Sequence, residues 1–207
     1  MISFIVGDDM NLYGRFYRIW AYFSDLIILA VCWLMTSLLG FGLTIGASTT
    51  AVYQVLFKLI HPQKDYYVFK DYMKAFKDNF KTATSCWLVC IATGCLIYLG
   101  LQIAINSQQT VVYFLFLGLA LIFGVSLLYL FPIIAKFETN LTGYFVSSLI
   151  MANRHLLTSL LLVGSIAFLV FLFFKTNGIL ILVLPGLYFL YSGYLFHRLF
   201  TRYASQI

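Results

Sequence analysis

Residues 42–60 read GLTIGASTTAVYQVLFKLI. The stretch is apolar enough to enter a membrane, yet its first half is rich in small and hydroxyl-bearing residues, and Gln54 and Lys58 follow. Whether it crosses decides the architecture. Five longer apolar segments surround it, at approximately 19–39, 84–104, 110–131, 156–174 and 178–197. Each is close to the roughly 20 residues that a helix needs to span the hydrocarbon layer.

If only those five cross, Arg15, Arg18 and Lys175 share one side and the other ten basic residues share the opposite side. If 42–60 crosses as well, Arg15, Arg18, Lys58, Lys64, Lys70, Lys74, Lys77, Lys81, Lys136, Arg154, Arg198 and Arg202 collect on one side, against Lys175. Basic residues accumulate in cytoplasmic segments, so the second distribution is the better one. It predicts six transmembrane helices with both termini in the cytoplasm. A re-entrant 42–60, giving five spans, is the rival that its polarity keeps open.

The composition agrees with a lipid-embedded chain. Of 207 residues, 62% are hydrophobic and 10% charged, against about 25% charged in a soluble domain; mean hydropathy is +0.95. No long hydrophilic stretch separates the apolar segments, so residues 1–207 read as a single all-α transmembrane domain. The net charge of +6 belongs to cytoplasmic segments facing the bilayer and its anionic headgroups, not to a nucleic-acid surface. The N-terminus carries Asp8 and Asp9 and lacks a basic start followed by an apolar run. It is therefore no signal peptide, and the first span is a retained anchor.

Two cytoplasmic pieces carry most of the polar residues. In 61–83, Phe69, Tyr72, Met73, Phe76 and Phe80 fall at helical spacing on one side, and Lys70, Lys74, Lys77 and Lys81 form a stripe on another. This predicts a basic amphipathic helix lying in the inner interface. It would anchor to headgroups or dock a partner. In 132–155, Pro132 should end the preceding span, and Phe137, Leu141, Tyr144, Phe145 and Ser148 then suggest a second interfacial helix.

Catalytic patterns are missing from the sequence: no phosphate-binding glycine loop, no HExxH and no paired carboxylates. We therefore expect no enzyme, no cofactor and no metal site. Cys86 and Cys90 stand one turn apart without a neighbouring histidine or acid, and read with Cys32 and Cys95 as small hydrophobes. His61, His155 and His197 lie near helix ends. Asp25 is the acidic residue inside a span, where such groups face a partner or water. Reflecting it through a tight turn near 40–41 reaches the neighbourhood of Lys58, which predicts an intramembrane Asp25–Lys58 pair near Gln54. Gly42 and Gly46, four apart and followed by Ser48 and Thr50, suit close helix packing within the chain or against a partner, including a second copy. Pro185-Gly186 should kink the last helix.

Four stretches carry a resemblance: Gly14-Arg15-Phe16-Tyr17-Arg18; residues 43–53, Leu-Thr-Ile-Gly-Ala-Ser-Thr-Thr-Ala-Val-Tyr; residues 74–81, Lys-Ala-Phe-Lys-Asp-Asn-Phe-Lys, followed by Trp87; and residues 131–137, Phe-Pro-Ile-Ile-Ala-Lys-Phe. In order and spacing they resemble the YesL-like family of small bacterial membrane proteins, a family of unknown function, over nearly the whole chain. One departure is Phe41-Gly42-Leu43, where the family's pattern often has a proline before the Thr-Ile-Gly stretch. The resemblance implies a bacterial cytoplasmic membrane. It also implies an association with carbohydrate uptake systems of the ATP-binding cassette (ABC) type, beside whose genes those of the family often sit. Two functional expectations follow: an accessory or assembly subunit bound to a sugar permease, or a small-solute transporter or channel in its own right.

Overall fold

The computed structural model describes residues 12–60, 67–175 and 183–204. Among the described residues seven helices follow one another: α1 (Leu12–Leu39), α2 (Ile45–Ile60), α3 (Val68–Asn106), α4 (Thr110–Lys136), α5 (Leu141–Arg154), α6 (Leu156–Lys175) and α7 (Val183–Ala204). Among the described residues there is no strand. Four helices, α1, α3, α4 and α6, contain stretches long and apolar enough to cross a membrane. Many of their large apolar side chains face outward, among them Leu96, Leu121, Leu157 and Phe174. In water such a surface would aggregate; in lipid it is the solvated face. The protein is a helical membrane protein.

α2 sits at the centre. Sixteen residues make a helix of about 24 Å, short of the roughly 30 Å hydrocarbon layer. Eleven of those residues are buried, so α2 is enclosed by protein where the longer helices face lipid. Its small residues explain the enclosure. A Cβ added at Gly46 would stand 2.7 Å from the Ala83 carbonyl oxygen and 2.8 Å from Trp87 Cβ on α3. Only a glycine allows the two backbones this close. Ala47 and Ala51, both fully buried, extend the thin face. Larger side chains further along then meet α7: Leu56 lies against Gly193, and Tyr53 meets Phe189 and Phe196 edge-on.

The turn into α2 closes α1 by a two-bond cap. Gly42 N donates to the Ser37 carbonyl and Phe41 N to the Leu38 carbonyl, which satisfies carbonyls the helix end leaves open. The left-handed position of this cap falls on Phe41, at φ 47°, with Gly42 at φ 80° after it. The end of α3 is built the same way, with Gln108 at φ 53°, Gln108 N on the Ile105 carbonyl and Gln109 N on the Ala104 carbonyl. Both turns are as short as the sequence implies.

Two expectations change. The basic stretch is no separate interfacial helix: from Val68 it is the first part of α3, which runs 39 residues without a break, about 58 Å. Residues 61–66 lie outside the described residues. No glycine or proline stands between Val68 and Thr93, so nothing ends the helix at the change from amphipathic to apolar pattern. Pro132 likewise does not end α4, which continues to Lys136. Near a C-terminus a proline removes one bond and leaves the remaining turn intact. The second short helix is α5, beginning at Leu141. Pro185 is the third described residue of α7; residues 176–182 before it lie outside the described residues, and with them the kink expected there.

The α3–α4 hairpin projects from this centre. No residue of α4 before Tyr129 is buried. A Cβ added at Gly118 or Gly124 would meet nothing within 4 Å, so both glycines face the lipid. Gly46→Ala should therefore lower the stability of detergent-purified protein by about 1–3 kcal/mol, read as a drop in melting temperature. Gly118→Ala should leave it unchanged or raise it, because a helix interior prefers alanine. Equal melting of both variants would show that α2 and α3 do not approach this closely.

Candidate functional site

The polar residues of the chain gather where α1, α2 and α3 meet. Thr36 Oγ1 donates its proton to the Cys32 carbonyl at 2.8 Å, as a threonine in a helix commonly does. With that proton committed, its oxygen accepts from Ser48 Oγ at 2.9 Å and from Tyr72 Oη at 2.6 Å. Thr44 Oγ1 donates to the Thr36 carbonyl at 2.7 Å. Three helices are thus tied through one hydroxyl. Two tryptophans reinforce the knot: Trp33 Nε1 donates to Thr49 Oγ1 at 3.1 Å, and Trp87 Nε1 to the Gly42 carbonyl at 2.9 Å.

The residues singled out from the sequence fall as follows. Gly42 and Gly46 both face Trp87 on α3, one through its carbonyl and one through its missing side chain. Ser48 belongs to the hydroxyl knot. Thr50 is fully buried, and its Oγ1 has no hydrogen-bond partner among the described residues. Lys58 is corrected: its salt bridge is to Asp71 Oδ1 at 3.0 Å, not to Asp25. The reflection that suggested Asp25 considered only the α1–α2 hairpin, whereas the start of α3 folds back along α2 and brings Asp71 to the ammonium. Asp71 Oδ2 also accepts from the Tyr67 backbone N–H at 3.2 Å, so one carboxylate both caps α3 and binds α2. Lys58 is about half exposed, which places the pair at a helix end in the manner of a surface ion pair.

Further contacts fix the direction of α2 on α3. Asn79 Nδ2 donates to Gln54 Oε1 at 2.6 Å and to the Ala75 carbonyl at 2.9 Å. With Gly46 at Ala83 and Lys58 at Asp71, the two helices run antiparallel. This leaves the basic stripe outward: Lys70, Lys74, Lys77 and Lys81 are all exposed. Of the aromatic residues beside them, Tyr72 is buried and Phe76 half-buried, while Phe69 and Phe80 stay exposed. Sequence reasoning did not single out Thr36 or the roles of Tyr72 and Trp87. The indole beside an amphipathic helix was their one visible signal.

Among the described residues no three of His, Cys, Asp and Glu come together as metal ligands; His61 lies outside them. Other hydroxyls act as helix ties: Tyr53 Oη with Ser192 Oγ at 3.0 Å, and Tyr129 Oη with Ser159 Oγ at 2.9 Å. These hydroxyls serve helix packing. Two substitutions separate satisfied from unsatisfied hydroxyls. Tyr72→Phe should destabilise by about 0.6 kcal/mol, the mean for interhelical hydrogen bonds in membranes. Thr50→Val, close in shape, should be neutral or stabilising because it removes a buried group left without a partner. Thermal unfolding in detergent reads both, and a destabilising Thr50→Val would show that its hydroxyl is bonded.

Residues 26–101, from the core of α1 through most of α3, match the family described as "Protein of unknown function, DUF624". Over 175 residues the chain is 27% identical to the uncharacterized protein YesL of Bacillus subtilis, covering 79% of this chain and 83% of that protein. No solved structure matches. The matched segment holds Thr36, Gly46, Ser48, Tyr72 and Trp87, the residues that tie α1, α2 and α3 together. By these two matches the chain is similar to the YesL-like family of membrane proteins, whose function is unknown.

Proposed function

We propose that this protein is a non-enzymatic accessory or assembly subunit of an ABC-type carbohydrate uptake system. In this reading α1, α3, α4, α6 and α7 cross the bacterial cytoplasmic membrane, and α2, which lies along the basic half of α3, is a re-entrant segment that enters and leaves on one side. The observation that carries the reading is the exposed basic face of α3. At about 58 Å this helix is nearly twice the roughly 30 Å hydrocarbon layer. Its apolar half fills that layer, so the half with Lys70, Lys74, Lys77 and Lys81 stands in the inner interface and beyond it. A rigid rod that presents four lysines on one face suits an acidic surface on a permease or its cytoplasmic ATPase. It also suits the anionic headgroups it must pass. The link to carbohydrate uptake comes from the family's usual gene neighbours.

A transporter or channel is the second reading, with Asp25, Thr44 to Thr50 and Pro185-Gly186 as its best features. Less supports it. The hydroxyls of Thr44, Ser48 and Thr49 hold helix contacts where a polar pathway would leave them open to a solute.

Co-purification from native membranes in mild detergent, followed by mass spectrometry, should recover a sugar permease in stoichiometric amount. Replacing the four lysines by glutamate should abolish that recovery while leaving the melting temperature intact, since these side chains are exposed. Recovery of the chain by itself or as a homo-oligomer, even after cross-linking, contradicts the accessory reading. Thiol labelling of cysteines placed at 40 and 62, in a background without the native cysteines, tests the topology. Labelling of both from one side is expected, and labelling from opposite sides contradicts the re-entrant α2.

A further inference from the structure

The bundle contains a cavity of about 530 Å³ between α1, α2, α4, α6 and α7. Beside it α6 is anchored through its first turns. Near its start, Ser159 bonds Tyr129 Oη and the Ala152 carbonyl, and Leu162 is fully buried. The inward stripe continues at helical spacing through Ile166, Leu169 and Phe173, but from Val163 to Lys175 no residue is buried. That stripe lines the cavity where it would otherwise meet α4 and α7. On the far wall stand Trp33, Tyr53 and Trp87.

Protein interiors are close-packed, and voids much larger than a water molecule are few. This one lies within the 300–1,000 Å³ range of ligand sites. Its walls offer almost nothing to a polar guest. The Thr49 hydroxyl accepts from Trp33, and the Tyr53 hydroxyl is paired with Ser192. A water needs two to four polar partners and would not settle there. The cavity also reaches the surface: Val170 belongs to its wall and is 48% exposed. α6 carries no charge before Lys175, so that opening gives onto the hydrocarbon of the bilayer. The medium at the mouth is alkyl chain, and the walls accept alkyl chain.

The geometry points to a binding site for one hydrocarbon chain of a membrane lipid, held between α6 and the α2–α7 wall and entering laterally from the bilayer. The site is independent of the accessory reading, because it uses neither the basic face of α3 nor any partner. Trp33 and Trp87 make it measurable, as both line it; the third tryptophan, Trp20, is exposed.

The test places Trp20→Phe protein in vesicles of phosphatidylglycerol or phosphatidylcholine with increasing fractions of chain-brominated lipid, and follows tryptophan quenching. The site predicts quenching that saturates at a low fraction of brominated lipid. Equal curves for the two headgroups assign recognition to the chain, and a steeper phosphatidylglycerol curve adds a headgroup contribution. Ile166→Phe with Leu169→Phe should fill the cavity, abolish the saturating phase and keep or raise the melting temperature, as cavity filling does. Leu128→Phe on the opposite wall asks the same if that pair does not fold. Quenching that rises in proportion to brominated lipid up to the pure lipid overturns the site, and this outcome is read from the Trp20→Phe protein without any filling variant. Saturating quenching that survives filling overturns it too.

Discussion

The close approach of α2 to α3 at Gly46 is the constraint on which the rest of this protein depends. A helix of about 24 Å cannot satisfy a bilayer by length, so its place must come from contacts with other helices. Lipid offers no hydrophobic gain for burying one apolar helix among others. Close packing and interhelical hydrogen bonds have to hold α2 in place. Glycine and alanine on its thin side let α3 in, and hydroxyls and indoles around the first turn then lock α1, α2 and α3 in register. The wider side of α2, with Tyr53, Leu56 and Phe57, gives α7 its seat. Helices further from this knot are held progressively less: the outer half of the α3–α4 hairpin packs mainly on itself, and α6 is anchored by its first turns.

This gradient organises the functional features. The knot is rigid and closed, with its hydroxyls engaged in structure. The loosely docked α6 leaves a cavity, and the long α3 carries charge out of the membrane. A protein built this way presents surfaces and a lipid-facing recess around a fixed centre.

Much of the fold was legible in the sequence. Segments 19–39, 84–104, 110–131 and 156–174 lie within α1, α3, α4 and α6, because an apolar run of that length has few other uses. The special character of 42–60 was legible too, from its glycines and hydroxyls. Two readings failed for a shared reason. Treating 61–83 as its own helix and pairing Lys58 with Asp25 both assumed that each element ends where its pattern changes. A helix ends where its backbone is interrupted, and nothing interrupts α3 between Val68 and Thr93. Once α3 is continuous, Asp71 comes to Lys58 and Asn79 to Gln54. The cavity was not legible, since Ile166, Leu169 and Phe173 carry the ordinary stripe of a packed helix. Only the three-dimensional placement of α6 shows that this stripe lines a cavity.

The central claim is that α2 lies antiparallel along the first half of α3, enclosed by protein. Its most direct test is a short thiol-specific cross-linker applied in native membranes to a variant with Cys32, Cys86, Cys90 and Cys95 replaced and Gln54→Cys combined with Asn79→Cys. The account predicts efficient intramolecular cross-linking of this pair and none when the second cysteine is moved to Leu99, on the lipid-exposed half of α3. Cross-linking at 99 and not at 79 would contradict it, because α2 would then lie beside the apolar half of α3 and the knot around Gly46 could not form.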